Sequence, residues 1–233
     1  MRITYLLLAL LFTINSNIFS ADPENHLTKK PFKLSKQEKK EGFKVLFDGT
    51  SMSQWTSNTN EYIMEEGNIV MKPIAGSGYG NLYTIDEFDN FVLKFDFLLS
   101  PDANNGLGLR HKIITTKSGY DGMELQILDN EAPMYKDLKP YQYHGSVYGW
   151  IPAKRGFLKP AGEWNNQEVI ANGNHIKVIL NGTVIVDGDL SEATKDAPSE
   201  TVPKSLFYKS GHIAFLGHDS VVKFRNIRVK KLK

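Results

Sequence analysis

Between Phe91 and Ser100 the chain reads FVLKFDFLLS, and this run constrains the fold more than any other. Phe91, Leu93, Phe95, Phe97 and Leu99 take every second place, with Lys94 and Asp96 on the alternate positions. A period of two gathers five large apolar side chains on one face of an extended strand, where a helix would scatter them around its axis. A strand with one apolar face needs a second layer to cover it, and the rest of the chain supplies strands rather than helices. VLFDGT gives a strand and a tight turn at Asp48-Gly49, with Trp55 as an anchor soon after. Short strand signals follow at Tyr62 to Glu65, Asn68 to Met71 and Gly80 to Thr84. HIKVILNGTVIVDG is the strongest hairpin, because Asn181-Gly182 accepts the positive φ angles of a type I′ turn between two β-branched runs. Leu190 to Lys204 reads as a polar loop, and GHIAFLGHDSVVKFRNIRVKKL closes the chain with two strands. About a dozen short strands without a useful amphipathic helical pattern predict an all-β fold, a two-sheet antiparallel jelly-roll sandwich.

The 233 residues open with MRITYLLLALLFTINSNIFSA. One Arg precedes an apolar run and small residues follow, which is the form of a secretory signal peptide over residues 1–21. Residues 22–41 are a polar segment with a short helix expected over Ser35 to Lys40, capped by Ser35 with Glu38 three residues on. A single domain is expected over 42–233, starting at Gly42. The leader is too short to span a bilayer and no later stretch is apolar for long enough, so no transmembrane anchor is expected in the mature chain. A periplasmic or secreted destination follows from the leader. With no cysteine, disulfides, thiolate catalysis and sulfur-ligated zinc are excluded. The net charge of +2 gives no argument for nucleic acid, and the lysines at 29–44 and 230–233 read as solvated ends.

The densest polar chemistry lies between Asn104 and Trp150. In GLGLRHKI, Leu107 and Leu109 share one face, leaving Gly108 and Arg110 on the other. In GMELQILD, Leu125 and Ile127 oppose Glu124 and Gln126. If the leucine faces are the core side, Arg110, Glu124 and Gln126 stand together on the sheet's outer surface. By the same parity His111 joins Leu109 in the core. Asn104, Asn105, Asp129, Tyr143, His144, Tyr148 and Trp150 keep this stretch company. Polar groups with aromatic walls suit a sugar, whose hydroxyls need hydrogen-bond partners and whose C–H faces pack on rings. Each residue also has a plainer role. Arg110 and Glu124 can be a cross-strand pair, His144 a packed core histidine, Asp129 and Asp121 turn caps, and Tyr148 and Trp150 part of the core. There is no phosphate loop in a strand-to-helix context and no HExxH, and Ser146 lacks a nucleophile elbow.

Six ordered blocks carry a family resemblance: LFDGTSMSQW, NNGLGLR, GMELQILD, YHGSVYG, PAGEWNNQEVIANGNHIKVILNG and GHIAFLGHDSVVKFRNI. From about Gly42 to Leu232 the chain resembles the 3-keto-disaccharide hydrolase family. The resemblance implies a concanavalin A-like, laminin-G-like jelly roll and cleavage of a glycoside whose glucose ring carries a ketone at C3. Residues matching the polar blocks are Arg110, Glu124, Gln126, Asp129 and His144. The family's closing block more often continues as LQ-x-H-G. Here Phe215-Leu216-Gly217-His218-Asp219 keeps the histidine and lacks the glutamine.

A ketone at C3 acidifies the C2 proton, so a base can remove it, the C1 oxygen can leave, and water can add to the resulting enone. Glu124, His144 and Arg110 are the candidate catalytic groups: Glu124 or His144 as base, and Arg110 or a divalent cation (Ca, Mn or Zn) to hold the enolate. Asn105, Gln126, Asp129, Tyr148, Trp150 and His218 are the candidate substrate contacts. The spacing matches no specific metal motif, and the metal stays open. Three functions remain in play: an enzyme acting on 3-keto-glycosides, by hydrolysis or by elimination alone, a non-catalytic carbohydrate-binding module, and an exported structural or adhesive protein.

Overall fold

The computed structural model describes residues 30–76, 80–115, 119 and 121–233. The signal-like run and residues 22–29 of the polar segment lie outside the described residues. Thirteen strands form two antiparallel sheets. In chain order they are β1 (Lys44–Phe47), β2 (Trp55–Ser57), β3 (Tyr62–Glu65), β4 (Asn68–Met71), β5 (Asn81–Phe88), β6 (Phe91–Leu99) and β7 (Asn104–His111). There follow β8 (Met123–Leu128), β9 (Trp164–Asn172), β10 (His175–Leu180), β11 (Thr183–Asp189), β12 (Gly211–Leu216) and β13 (Val222–Lys231). The larger sheet runs β11-β10-β9-β6-β13-β4-β3, with β1 also on β13, and the smaller runs β2-β5-β12-β7-β8. This is the antiparallel jelly-roll sandwich that the alternation predicts.

The long alternating run is β6, at the centre of the larger sheet between β9 and β13, and its Phe91, Leu93, Phe95, Phe97 and Leu99 are all buried. They meet the inward residues of the smaller sheet. Phe215 of β12 stacks on Phe224 of β13 with ring centroids 3.7 Å apart, and Trp55 stacks on Phe215 at 5.5 Å. The Trp55 indole donates to the Leu46 carbonyl at 2.9 Å, so this large ring is buried with its one polar atom satisfied. Leu107, Leu109, Leu125 and Ile127 lie in the same core, which fixes the register of β7 against β8.

The Asn181-Gly182 turn has φ of 50° and 85°, as a type I′ hairpin requires. The N-terminal helix α1 (Lys36–Glu41) has the full Ser35–Glu38 capping box, and Glu38 also accepts from Arg228 of β13 at 2.7 Å. Folded structure therefore reaches upstream of Gly42, where the sequence expectation placed its start. The 190–204 loop opens with a short helix, α2 (Leu190–Thr194), capped by Asp189, and ends in a 3-10 turn, Lys204–Phe207, whose Leu206 is buried.

Candidate functional site

The outward face of the smaller sheet has a low floor. Gly106 and Gly108 of β7 point there with no side chain, opposite Gln126 and Glu124 of β8. Above them lies a cavity of about 350 Å³ lined by Asn81, Asn104, Asn105, Glu124, Gln126, Tyr148 and His218, with Leu216 as its apolar wall. Leu216 offers the cavity a hydrocarbon at that corner. Gln126 donates to Oδ1 of Asn104 at 3.3 Å, which fixes the acceptor and donor ends of the Asn104 amide. Asn81 donates to the Tyr83 hydroxyl at 2.9 Å and to the Gly119 carbonyl at 3.1 Å, tying β5 to the segment that follows β7.

Glu124 is the charged centre of this floor. Its carboxylate lies over Gly106, and burial pushes its pKa up to about 7. A carboxyl group held there is close to half ionised at neutral pH and can take up a proton without a large energetic penalty. The chain segment after Tyr143 forms the adjoining wall. Gln126 donates its backbone N–H to Ser146 at 3.0 Å and Tyr148 donates to the Glu124 carbonyl at 2.9 Å, so residues 146–148 extend the pairing of β8. That pairing sets Tyr148 beside Glu124, and its hydroxyl accepts from Gln142 at 2.9 Å.

Arg110 does not join Glu124, contrary to the expectation from strand parity. Its φ is 57°, and the β12 partners change register there: Ala214 faces Gly108 and His212 faces His111. One extra residue on β7 makes a bulge, which reverses the facing of every residue after it. Arg110 is turned away and buried, where it donates to the carbonyls of Asp89 (2.7 Å), Gly173 (2.8 Å) and Tyr208 (3.3 Å) and to Oδ1 of Asn90 (3.2 Å). It ties loops together. The same bulge turns His111 onto the glycine face of the sheet, opposite to the side that parity gives it, and it is fully buried there. A Cβ on Gly108 would stand 2.7 Å from its ring, and one on Gly122 would stand 2.1 Å away. His111 and Glu124 thus lie over Gly108 and Gly106, two residues apart on one strand. Burial pushes the His111 pKa down to about 4.

His144 is likewise not at the cavity. It sits inside the sandwich, stacked on Phe97 with centroids 4.9 Å apart. Its Nδ1 accepts from the Leu128 N–H at 3.3 Å, so Nε2 carries the proton and donates to Oε1 of Gln167 at 2.9 Å. Burial pushes its pKa down to about 4, and this neutral, enclosed imidazole has no path to a substrate. Asp129 is also displaced from the expected site. Its carboxylate accepts the backbone N–H of Asp102 at 3.1 Å and of Glu131 at 3.4 Å, holding the turn before β7 and the one after β8. Asn105 is buried at the cavity's edge beside the Tyr62 hydroxyl.

Of the nine residues singled out from sequence, Glu124, Asn105, Gln126, Tyr148 and His218 line this cavity. Trp150 lines a second one, of about 290 Å³, together with Gly122, Met123, Glu124, Tyr148, Pro203, Ser205 and Leu206. Sequence reasoning missed Asn81 and Leu216. Asn81 lies just after a glycine at a strand start, which is a usable signal, whereas the bulge that turns His111 has no signature in residue type. Among the described residues no group of three His, Asp or Glu gathers in a way that could hold a metal ion. Glu124 and His218 are the cation-ligand types at the cavity.

Residues 42–230 match the model of a family described as the 3-keto-alpha-glucoside-1,2-lyase-like domain. A protein named 3-keto-disaccharide hydrolase from Bacteroides thetaiotaomicron is 27% identical over 231 residues, covering 82% of this chain and 79% of that protein. A crystal structure of a candidate glycosyl hydrolase from Parabacteroides distasonis superposes with a TM-score of 0.69 at 28% identity, over 82% of this chain and 99% of that one. Another from the same organism gives 0.75 at 22% identity, over 88% and 100%, a likeness of fold.

Proposed function

Because the chain belongs to the 3-keto-alpha-glucoside-1,2-lyase-like family, we propose that it cleaves the C1–oxygen bond of 3-keto-glucosides, with Glu124 as the base that removes the C2 proton. The observation that carries this reading is a carboxylate with its pKa pushed up to about 7 on the floor of a polar cavity. An ordinary glucoside gives such a base nothing to do, since its C2 proton is not acidic. A ketone at C3 changes that, because the electron pair left at C2 is delocalised onto the C3 oxygen.

The C2–H bond breaks, its proton passes to Glu124, and an enolate forms with its charge on the C3 oxygen. The enolate then collapses, C1–O breaks, and the leaving oxygen takes a proton from the wall shared with the second cavity, for which the Tyr148 hydroxyl is the group available. The product at this stage is an enone with a C1–C2 double bond, the outcome of a lyase. Water adding its oxygen at C1 gives up a proton to the group that protonated the leaving oxygen, while Glu124, its proton exchanged with solvent, returns one to C2 and completes a net hydrolysis. The words lyase and hydrolase in the relatives' descriptions thus differ by this second half. Asn104 and Gln126 are proposed to orient the sugar's hydroxyls. Arg110, expected from sequence to hold the enolate, is replaced in this scheme by the amides at the cavity. The leader-like run implies that the reaction takes place in the periplasm or outside the cell. N-terminal sequencing of the exported protein should then begin near Ala21 or Asp22, and an intact Met1 would sink that part.

The test is cleavage of a 3-keto-glucoside in deuterated water, with and without added Ca²⁺, Mn²⁺ or Zn²⁺. Deuterium should appear at C2 of the released sugar, measured before slow exchange in the free keto sugar. Glu124→Gln should lower turnover by ~10²- to ~10⁴-fold. Cleavage without deuterium at C2 would reject elimination. Saccharide binding with no cleavage under any of these conditions would replace the enzyme by a binding module.

A further inference from the structure

The two cavities have Glu124 and Tyr148 in common, so the carboxylate stands on the wall between them. Their linings differ. One presents the amides of Asn81, Asn104 and Gln126 with His218. The other presents Trp150 and Leu206, with Ser205 as its hydroxyl. Each is close to the lower end of small-molecule pockets, roughly 300 Å³, so each suits one small unit. Elimination puts a geometric demand on this pair. The proton leaves C2 and the bond then breaks at the adjacent C1, so a base that reaches C2 also stands beside the departing group. With the keto sugar among the amides, the group on C1 is directed past Glu124 into the second cavity.

We propose that this second cavity is the leaving-group subsite and that it takes a six-membered ring, a second sugar or an aryl group, laid against Trp150. The inference rests on the reading of Glu124 given above and adds the class of substrate. The indole offers a flat apolar face to either a sugar's C–H groups or an aromatic ring. Trp150 is held by the segment that pairs with β8, and its backbone N–H donates to the Val147 carbonyl at 2.9 Å. The opposite side of the cavity is the 3-10 turn Lys204–Phe207, whose Leu206 packs into the core. The subsite is therefore built from two loops against the start of β8, at the other side of Glu124 from the amides that hold the keto sugar.

Three 3-keto-glucosides separate the possibilities: the methyl glycoside, the phenyl glycoside and a disaccharide. Trp150→Ala removes the flat wall. Ser205→Trp fills the cavity from its far side, at a turn residue whose replacement leaves the core in place. Both variants should lower kcat/KM about tenfold for the ring-bearing substrates, with the methyl glycoside within twofold of the unaltered protein, and Trp150→Phe should restore most of the loss. A loss confined to the phenyl glycoside or to the disaccharide identifies which ring the subsite takes. Equal losses on the methyl glycoside, or none on the ring-bearing pair, would overturn the subsite while leaving the role of Glu124 intact. If the unaltered protein cleaves none of the three, the reading of Glu124 falls and the subsite falls with it.

Discussion

Gly106 and Glu124 are matched across neighbouring strands: a methyl group on Gly106 would stand 2.3 Å from Oε1 of Glu124, 3.0 Å from its Cδ and 3.1 Å from its Cγ. The glycine lets the carboxylate lie down on the β7 backbone, where it is partly withdrawn from water while still facing the cavity. That posture is the physical origin of its raised pKa.

Gly106→Ala tests the match. Gly106 is not at a positive φ, and the clashing atoms belong to the end of a flexible side chain, so the strand can accept the methyl group. The expected result is a melting temperature within a few degrees of the parent with kcat/KM lowered at least tenfold, an outcome corresponding to roughly 1.4 kcal/mol or more at the transition state. A variant as active as the parent would mean that the lie of the Glu124 side chain does not matter.

The pH dependence of Glu124 has a definite sign. The base form is needed, so kcat/KM should rise with pH and level off above about 7, a limb that Glu124→Gln should lack. Stability runs the other way. The folded pKa of about 7 lies above the ordinary 4.5, so between these values the folded chain binds more protons and loses stability as pH rises. Glu124→Gln should therefore be more stable than the parent at pH 8, by on the order of 2 kcal/mol, and nearly equal to it at pH 4. Denaturant titrations at the two pH values give the comparison.

Arg110 should behave as a structural clamp. Arg110→Met leaves the carbonyls of Asp89, Gly173 and Tyr208 without their donor. A loss of about 3 kcal/mol in unfolding free energy is expected, with turnover per folded molecule unchanged at low temperature. A selective loss of turnover in a stably folded variant would return Arg110 to the chemistry.

His144 predicts acid sensitivity. Its folded pKa of about 4 lies below the ordinary 6.5, so the unfolded chain binds more protons in that window and stability falls as pH drops through it. His111, pushed down to about 4 as well, adds in the same direction. His144→Phe abandons the bonds to Leu128 and Gln167 and should cost ~1 to ~3 kcal/mol at pH 7. The difference from the parent should shrink by pH 4.5, since the variant has no imidazole to protonate there. Parallel stability curves for the two proteins would refute this.

Much of the architecture was legible from period-two alternation, because a one-sided strand and a type I′ turn are local properties that residue types determine. Glu124 and Gln126 were placed on the outer face for the same reason. The argument failed at Arg110, where a single inserted residue resets the count, and parity cannot see an insertion that no glycine marks. It failed at His144 for another reason. An imidazole between aromatics has the same local sequence whether it faces substrate or Phe97, and the choice is made by Gln167, distant in the chain. Trp150 is open from sequence between core and wall, and in the fold it packs against the core and lines the neighbouring cavity.

Strand β7 sends Leu107 and Leu109 into the interior and leaves Gly106 and Gly108 beneath the cavity. Stability and chemistry are thereby written in alternate letters of one short word. Descendants of this chain can change the polar letters at 104, 124 and 126, and with them the reaction, while the leucines keep the sandwich closed. The glycines are the exception to that freedom, because they supply room rather than chemistry: a side chain added at 106 would displace Glu124, and one at 108 would displace the His111 ring.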